Sequence, residues 1–390
     1  MAIAMRVLIC PDSFKGCLDA ESAAHTMRRG VLRSGAHEID ECPMSDGGEG
    51  FTQAIARANG VELQTHPALS AAETTVDAPY CVFETPQGMT AAFTVADIVG
   101  LSMLDPKLRN PVILTALGVG AFMRCLIEVQ SREHDCSLAR ILIGLGGSGT
   151  IEGGIGISTM TGWRMRYKRP RWMNWNSWHR DKLLLNIRSI EPSPHDSFPD
   201  IEVVAAHDVT NPLTGPNGAA RVFGPQKGAT PRQVERLDAG LANLHRVCIE
   251  AGLTDGTDHP GDGAAGGLGF GLRVFAGATL TPGAQVVIEA TNLRERIMDA
   301  DLVITGEGML DSQSTSGKAA WAIGTLAKEL GTPCVCLAGS FGDGWKDAAD
   351  AFTRAIRATP EGMDPSEGIA NAEKLIEEAA SGLPELSPGR

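Results

Sequence analysis

The sequence predicts an α/β protein built around a parallel sheet, and three observations lead to this fold class. Short, continuous apolar runs that end at Gly, Pro or Asp are typical of strands buried on both faces. Segments with helical periodicity alternate with these runs, as in strand–helix–strand units. The chain has 390 residues, of which 43% are hydrophobic and 21% charged, so it is long enough for more than one domain with a buried core.

The two ends of the chain carry this alternation most clearly. Asp19 is a predicted N-cap because its side chain precedes a helical segment. The elements predicted there are strand 6–10, helix 20–33, strand 38–44, helix 49–58, helix 285–300, strand 301–304, loop 305–316, helix 317–330, strand 333–338 and helix 365–380.

The middle of the chain differs from the ends, because it is richer in Gly-containing loops and irregular strands. We therefore expect a discontinuous Rossmann-like α/β domain formed by residues 1–65 and 285–390. A second α/β domain, residues 66–284, is expected to be inserted between its halves. Since ligand pockets often lie at domain boundaries, the active site is expected in the cleft between the two domains.

Composition narrows the function classes. The net charge of −13 argues against nucleic-acid binding, which needs a basic face. The nine cysteines show no paired metal-ligand spacing, and no apolar run reaches the length of a membrane span. We expect a cytoplasmic protein with reduced thiols, and a homo-oligomer stays open. The 46 glycines indicate many tight turns and close backbone approaches.

Two polar loops follow the N-terminal strands. The first contains Asp12, Ser13 and Lys15, at the point where open α/β sheets place ligands. The second contains Asp46 followed by Gly47 and Gly48. The glycines allow a ligand to approach the backbone, and Asp46 is a candidate for binding a hydroxyl or a metal ion. A simple turn and a helix cap are the structural alternatives.

A third loop, residues 144–150, follows an apolar strand and contains the pattern G-x-G-x-x-G. The acidic residue expected about 20 positions later in a dinucleotide fold is missing. Successive backbone N–H groups in such a loop can still hold an anion, which makes Gly146, Gly147 and Ser148 candidates for binding phosphate.

Two further loops carry polar residues. Asp208 and Asn211 follow the apolar strand 201–206, a pairing that suits a hydroxyl or a Mg²⁺-associated group, although both residue types also form turns. Asp311 and Lys318 belong to a loop that ends in Gly-Lys before a helix. It is not a P-loop, because Ser312 stands where glycine is required, but Lys318 is a plausible phosphate contact.

Taken in order, these loops resemble those of the bacterial type I glycerate kinase family. The resemblance extends over about residues 5–380. The segments that carry it are PDSFKG at 11–16, MSDGGEG at 44–50, GLGGS at 144–148, DVTNPL at 208–213, GPQKG at 224–228, GAAGGLGF at 263–270, and TGEG at 305–308 with Leu310 and Asp311.

The resemblance implies a discontinuous Rossmann-like domain with an inserted α/β domain. It implies ATP-dependent phosphorylation of D-glycerate to a phosphoglycerate, commonly the 2-phosphate. ATP and Mg²⁺ are then the expected cofactors, and glycerate and ATP the small-molecule partners, with no nucleic acid and no membrane.

Phosphoryl transfer needs positioning, charge neutralisation and an in-line hydroxyl. We expect Lys15 and Lys318 to neutralise phosphate or carboxylate charge, and Asp46 or Asp208 to accept the proton of the attacking hydroxyl. Lys227 is a third cation at these loops. The other expected contacts to substrate, nucleotide or Mg²⁺ are Asp12, Ser13, Gly47, Gly48, Gly146, Gly147, Ser148, Asn211 and Asp311.

The chain departs from the family pattern at Thr94, Leu117 and Ile151, and in a Trp- and Arg-rich stretch at 163–180. We expect these departures to affect substrate identity more than the fold, because unpaired polar groups carry discrimination. Packing as an amphipathic hairpin or surface loop is the favoured interpretation of the stretch. Two alternatives stay open, an NAD(P)-dependent oxidoreductase of a small hydroxy acid and a catalytically weakened relative that only binds ligand.

Overall fold

The computed structural model describes residues 4–35, 37–133, 137–168, 179–194 and 197–383. The chain divides into two units. The first unit contains residues 1–46, 53–60 and 283–390, and the second contains residues 47–52 and 61–282. Within the described ranges, no helix combines the length and apolar character needed to span a bilayer.

Strands and helices alternate along most of the chain. The strands are β1 (Arg6–Ile9), β2 (Glu38–Glu41), β3 (Gln64–Leu69), β4 (Thr75–Thr85), β5 (Gly88–Thr94), β6 (Arg140–Gly144), β7 (Trp163–Tyr167), β8 (Ile187–Pro192), β9 (Glu202–His207), β10 (Thr279–Pro282), β11 (Leu302–Leu310), β12 (Cys334–Phe341) and β13 (Arg354–Arg357). The α-helices are α1 (Ala20–Ser34), α2 (Phe51–Ala58), α3 (Ala96–Val99), α4 (Leu117–Glu133), α5 (Ile155–Met160), α6 (Arg180–Asn186), α7 (Ala219–Phe223), α8 (Pro231–Glu250), α9 (Ala264–Ala276), α10 (Gly283–Ala290), α11 (Leu293–Asp299), α12 (Ala319–Leu330), α13 (Trp345–Ala349), α14 (Pro365–Ala370) and α15 (Ala372–Ser381). Short 3-10 helices occur at Pro106–Leu108, Pro225–Lys227 and Ser312–Ser316.

The first unit is built on a five-stranded sheet in the order β13-β12-β11-β1-β2. All four strand pairs are parallel, which confirms the predicted α/β class. Counted within the unit, the order is 2-1-3-4-5, one of the two common doubly wound arrangements. The strand order reverses between β1 and β11, because β2 is added on one side of β1 and β11 on the other. The carboxyl ends of β1 and β11 therefore form the switch point where such sheets bind ligands.

The second unit contains a six-stranded mixed sheet in the order β10-β9-β6-β5-β4-β3. β10, β9, β6 and β5 are parallel neighbours, whereas β4 and β3 continue the sheet antiparallel at one edge. Its core contains Phe93, Phe122, Ile141 and Ile143. The parallel strands are buried because helices cover them, as their continuous apolar sequence predicts.

Several predicted elements in the first unit have other bounds in the structure. The strand predicted over 38–44 ends at Glu41, and the strand predicted over 333–338 continues to Phe341. β11 continues through Leu310, beyond the predicted end at residue 304, because Gly306 fits closely against β12. A Cβ at Gly306 would lie 2.5 Å from the carbonyl oxygen of Leu337. The helix predicted over 285–300 is two helices separated by Asn292, which has a φ of 50°. The helix predicted over 365–380 is likewise divided, at Asn371.

The Trp- and Arg-rich stretch is described only in part, since residues 169–178 lie outside the described residues. Its first five residues form β7, which pairs antiparallel with β8. The indole N–H of Trp163 donates a hydrogen bond to the carbonyl oxygen of Phe275 at 3.0 Å. The structure therefore shows that Trp163 packs against the rest of the second unit, and the hairpin or surface loop predicted over 163–180 stays a prediction.

Candidate active site

Backbone hydrogen bonds fix the N-terminal loops at the switch point of the first unit. The N–H of Cys10 donates to the carbonyl oxygen of Ile304 at 2.8 Å, and the N–H of Asp12 to that of Gly306 at 2.9 Å. The N–H of Met44 donates to the carbonyl oxygen of Pro11 at 2.9 Å. These bonds join three segments that are far apart in sequence, and they hold Asp12 at the carboxyl ends of β1 and β11.

A cavity of about 490 Å³ opens at this edge of the sheet. Charged side chains of both signs line it in the first unit, namely Asp12, Lys15, Asp46, Glu307, Lys318 and Arg357. Ser13 also lines the cavity. Five of these polar side chains come from the PDSFKG, MSDGGEG and TGEG motifs, which the structure thus brings together.

Asp12 has unusual electrostatics within this group. Burial, together with the negative charge of Asp46, raises the pKa of Asp12 from 3.8 to about 7. The N–H of Ser13 donates to Oδ1 of Asp12 at 2.7 Å, which opposes part of this rise. A carboxyl group with a pKa near neutrality can both accept and release a proton at physiological pH, as general-base catalysis requires.

Glu307 is a site residue that sequence reasoning missed. Its side chain is buried, and Oε2 lies 3.3 Å from Nζ of Lys318. The other oxygen, Oε1, is buried with no hydrogen-bond partner. Burial raises the pKa of Glu307 even though the charge of Lys318 lowers it. The TGEG motif was the available signal, but β11 was predicted to end before it.

Asp311, like Glu307, forms an ion pair with Lys318. Nζ of Lys318 lies 3.6 Å from Oδ1 of Asp311. The same carboxylate oxygen accepts a hydrogen bond from the N–H of Gln313 at 2.9 Å and caps the 3-10 helix Ser312–Ser316. Asp311 therefore orders the segment that leads to Lys318, besides facing its charge.

The glycine-rich loop at 144–150 belongs to the second unit. The N–H of Gly146 donates to the carbonyl oxygen of Gly47 at 2.9 Å. The hydroxyl of Ser148 donates to the carbonyl oxygen of Ala265 at 3.1 Å. Gly147 is exposed and has a φ of 74°. For Gly146 and Ser148 to bind phosphate, these internal hydrogen bonds would have to be replaced by hydrogen bonds to phosphate oxygens. Phosphate binding by this loop stays a prediction.

Gly47 and Gly48 pack closely against the same loop. A Cβ on Gly47 would lie 2.8 Å from the carbonyl oxygen of Ala206, and a Cβ on Gly146 would lie 2.3 Å from Cα of Gly48. The glycines at these positions thus permit close packing of two backbone segments within the second unit. Contact with a ligand is not needed to explain them.

Asp208 and Asn211 follow β9, as the sequence predicts. Asp208 is exposed, whereas Nδ2 of Asn211 donates to the carbonyl oxygen of Asn217 at 2.8 Å. His207 is buried at the end of the strand. Both Asp208 and Asn211 lie in the second unit, apart in sequence from the carboxylates of the first.

The prediction that Lys227 is a cation facing a ligand is wrong. Its side chain is buried, and Nζ donates to the carbonyl oxygen of Thr150 at 2.9 Å. Burial lowers the pKa of Lys227 from 10.5 to about 7. The residue connects the 3-10 helix Pro225–Lys227 to the end of the glycine-rich loop, and the sequence offered no sign that this lysine is internal.

The departures from the family pattern have internal partners. The hydroxyl of Thr94 donates to the carbonyl oxygen of Gly144 at 3.2 Å, and Ile151 is fully buried. Glu152 accepts a hydrogen bond from the N–H of Ala116 at 2.8 Å, beside Leu117 at the start of α4. These residues contribute to the packing of the second unit.

A doubly wound sheet with carboxylates and lysines gathered at its switch point defines an α/β enzyme that acts on small charged ligands. The family model for the glycerate kinase family matches residues 7–386. The chain belongs to this family and is thereby classed as a kinase, in agreement with the resemblance and against the oxidoreductase alternative.

Individual relatives agree with the family match. The chain is 32% identical to the glycerate kinase of Halalkalibacterium halodurans over 386 residues, which cover 98% of each chain. It is 35% identical to the glycerate 2-kinase of Escherichia coli over 343 residues, covering 87% of this chain and 86% of that protein. A crystal structure of a Salmonella typhimurium protein named as a glycerate kinase 2 superposes with a TM-score of 0.78 at 30% identity, covering 98% of both chains.

Proposed function

We propose that this protein transfers the γ-phosphoryl group of ATP to D-glycerate with the help of Mg²⁺, and that 2-phosphoglycerate is the product. One observation carries the proposal. In a member of the glycerate kinase family, a single cavity at the switch point collects Asp12, Asp46, Glu307 and two lysines. The name of the Escherichia coli relative, glycerate 2-kinase, supports the 2-phosphate as product.

The proton acceptor is assigned to the pair of Asp12 and Asp46, with Asp208 as the remaining candidate. The attacking hydroxyl must lose its proton as the bond to phosphorus forms. A base with a pKa near the working pH is the most effective for this step. Asp12 has a pKa of about 7 because Asp46 and burial disfavour its charged form. In this assignment Asp46 keeps Asp12 basic and orients the substrate hydroxyl.

Lys15 and Lys318 supply the positive charge that the anionic reactants need. Both line the cavity that contains the carboxylates. Lys318 is already positioned by Glu307 and Asp311, at 3.3 and 3.6 Å. A cation held in place in this way stabilises transferring phosphoryl oxygens without reorganising at the moment of reaction. Lys15, which is exposed, is left to meet the carboxylate of glycerate.

The first unit fits a Mg²⁺ ion bound mainly by phosphate oxygens. Among the described residues, no group of three or more His, Cys, Asp and Glu side chains is arranged to hold a metal ion. Mg²⁺ bound with a nucleotide needs only one or two carboxylates, and Asp46, which lines the cavity, would supply one. When bound, the ion would neutralise charge on the transferred phosphoryl group.

A coupled assay of ADP release over a panel of small hydroxy acids tests the proposal. With Mg²⁺ and ATP, we expect D-glycerate to be the preferred acceptor, and phosphorus NMR of the product to show a phosphate on the secondary hydroxyl. Lack of ADP release with every acid, from a folded sample that binds ligand, would instead support the weakened relative.

Two variants test the choice of base. Asp46→Asn is expected to lower kcat/KM by about 10²-fold or more. Asp208→Asn is the comparison, and the exposed Asp350→Asn in the first unit is the control for loss of one charge. Near-normal turnover in both Asp46→Asn and Asp208→Asn would contradict the assignment. Cytoplasmic location and self-assembly stay predictions from the sequence.

A further inference from the structure

The cavity of the first unit has a second part that a three-carbon acid does not use. Beyond the carboxylates and lysines, it is lined by Arg357 at the end of β13 and by apolar side chains of the segment that follows β13 and of α14 and α15. We call these residues the apolar wall; they are Pro360, Met363, Ile369, Leu375 and Ile376. Glycerate carries only hydroxyls and a carboxylate, so its recognition does not require an apolar wall.

The strand order places the two parts of the cavity at opposite ends. Asp12, Asp46 and Glu307 belong to the β2, β1 and β11 side of the sheet, whereas the apolar wall follows β13 at the other edge. Three strand spacings separate β1 from β13, which amounts to about 14 Å. A ligand that uses both ends must therefore be elongated, with a charged end and an apolar end.

The apolar wall is held in place before any ligand binds. The N–H of Ala358 donates to the carbonyl oxygen of Ala338 at 2.8 Å, and the N–H of Thr359 to that of Gly339 at 3.2 Å. Asp364 then caps α14 by accepting a hydrogen bond from the N–H of Ser366 at 2.9 Å. Ile369 on this helix nevertheless stays 52% exposed, so its apolar surface is available within the cavity.

A separate observation points to a ligand between the two ends. Oε1 of Glu307 is buried, lines the cavity region and has no hydrogen-bond partner in the protein. A buried acceptor without a partner is unfavourable, so such atoms are usually satisfied by a ligand or water. A sugar hydroxyl is a donor of the right kind for this carboxylate.

We propose that this cavity is the nucleotide site, and that the apolar wall binds the base of a purine nucleoside triphosphate. The ribose then lies near Glu307 and the phosphates extend toward Lys318. This inference rests on the proposed function, because it takes ATP as the phosphoryl donor. It moves the nucleotide from the glycine-rich loop of the second unit, where the sequence had placed it, to the first unit.

Calorimetric binding of ADP to the full chain tests the base site without requiring turnover. The double variant Met363→Gln, Ile369→Gln replaces apolar surface by neutral amides and adds no charge. We expect ADP to bind about tenfold more weakly to it than to the wild type, while inorganic triphosphate binds equally to both. Met298→Gln is the matched control, since Met298 is 54% exposed in the same unit but does not line the cavity.

Photolabelling provides an independent readout. The azido-purine analogue of ATP is expected to label peptides from residues 358–376, and excess ADP is expected to suppress the labelling. Unchanged ADP affinity in the double variant, absence of ADP binding to the wild type, or labelling confined to 144–150 would each overturn the inference. If ADP binding depends on the apolar wall but glycerate is not phosphorylated, the base site stands and the proposed function fails.

Discussion

Asp12→Asn tests the electrostatics of the site through stability, independently of catalysis. The change keeps the shape of the side chain and an oxygen that can accept the hydrogen bond from the N–H of Ser13. It removes a carboxyl group whose charged form is disfavoured by burial and by Asp46. We therefore expect the variant to lose activity but to be more stable than the wild type at alkaline pH.

The sign follows from proton linkage. In the folded protein the pKa of Asp12 is about 7, whereas the ordinary value for an Asp in an unfolded chain is 3.8. The folded state therefore binds the proton more tightly. The contribution of Asp12 to the free energy of unfolding of the wild type therefore falls as the pH rises from about 4 to about 7. The loss is complete above pH 7. Asn does not titrate, so the variant lacks this loss.

The same pKa values set an upper limit on the stability difference between Asp12→Asn and the wild type. A rise from 3.8 to about 7 corresponds to about 4 kcal/mol if it is fully expressed. Asp12 is only partly buried by its accessible surface, so solvent screening reduces this figure, and we expect about 2 kcal/mol at pH 8. Near pH 4 the variant and the wild type should differ little through this group.

Urea unfolding at pH 5 and pH 8, followed by circular dichroism and fluorescence, measures the effect. The exposed Asp350→Asn in the same unit is the control, and its difference from wild type is expected to change little with pH. If Asp12→Asn is less stable than the wild type at pH 8, or if its stability difference does not grow between pH 5 and pH 8, the electrostatic reasoning is refuted.

Three further predictions concern other charged groups. Asp46→Asn removes a charge that raises the pKa of Asp12, so the acid limb of the pH profile of its residual kcat/KM should lie at lower pH than in the wild type. An acid limb that stays near pH 7 would contradict the electrostatic coupling between Asp12 and Asp46. Lys318→Met should lower kcat/KM by about 10²-fold or more, with partial recovery in Lys318→Arg, whereas the exposed Lys346→Met should stay near wild type in the same ADP-release assay. Burial lowers the pKa of Lys227 to about 7, so the contribution of Lys227 to the free energy of unfolding should rise between pH 7 and pH 10. The variant Lys227→Met should lack this rise when unfolding by denaturant is compared at the two pH values.

Local sequence patterns identified most of the elements and most of the polar residues of the candidate site, but not Glu307. Asp12, Lys15 and Asp46 could be selected because polar residues directly after buried strands lie at the ligand-binding edge of a parallel sheet. Glu307 could not, because the strand that carries it extends past two glycines that usually interrupt strands. The extension depends on the close fit of Gly306 and Gly339 between β11 and β12, which no local pattern reveals.

Hydrogen-bond partners that are distant in sequence account for the other differences. The N–H of Gly146 and the hydroxyl of Ser148 are candidates for binding phosphate by sequence, but they donate to the carbonyl oxygens of Gly47 and Ala265 in the fold. Lys227 is expected from the sequence to face a ligand, but its Nζ donates to the carbonyl oxygen of Thr150. In each case the competing partner is supplied by tertiary folding.

By itself, the sequence determined the α/β class, the family and the loops that carry the candidate site, because these depend on the spacing of apolar runs and on short motifs. The tertiary structure alone decided which loops share a cavity. Pairing β1 with β11, about 295 positions later, places Asp12 next to Gly306 and Glu307, and burial there raises the pKa of both carboxyl groups. Proton affinity depends on desolvation and on neighbouring charge, and both are fixed only when distant segments pack together.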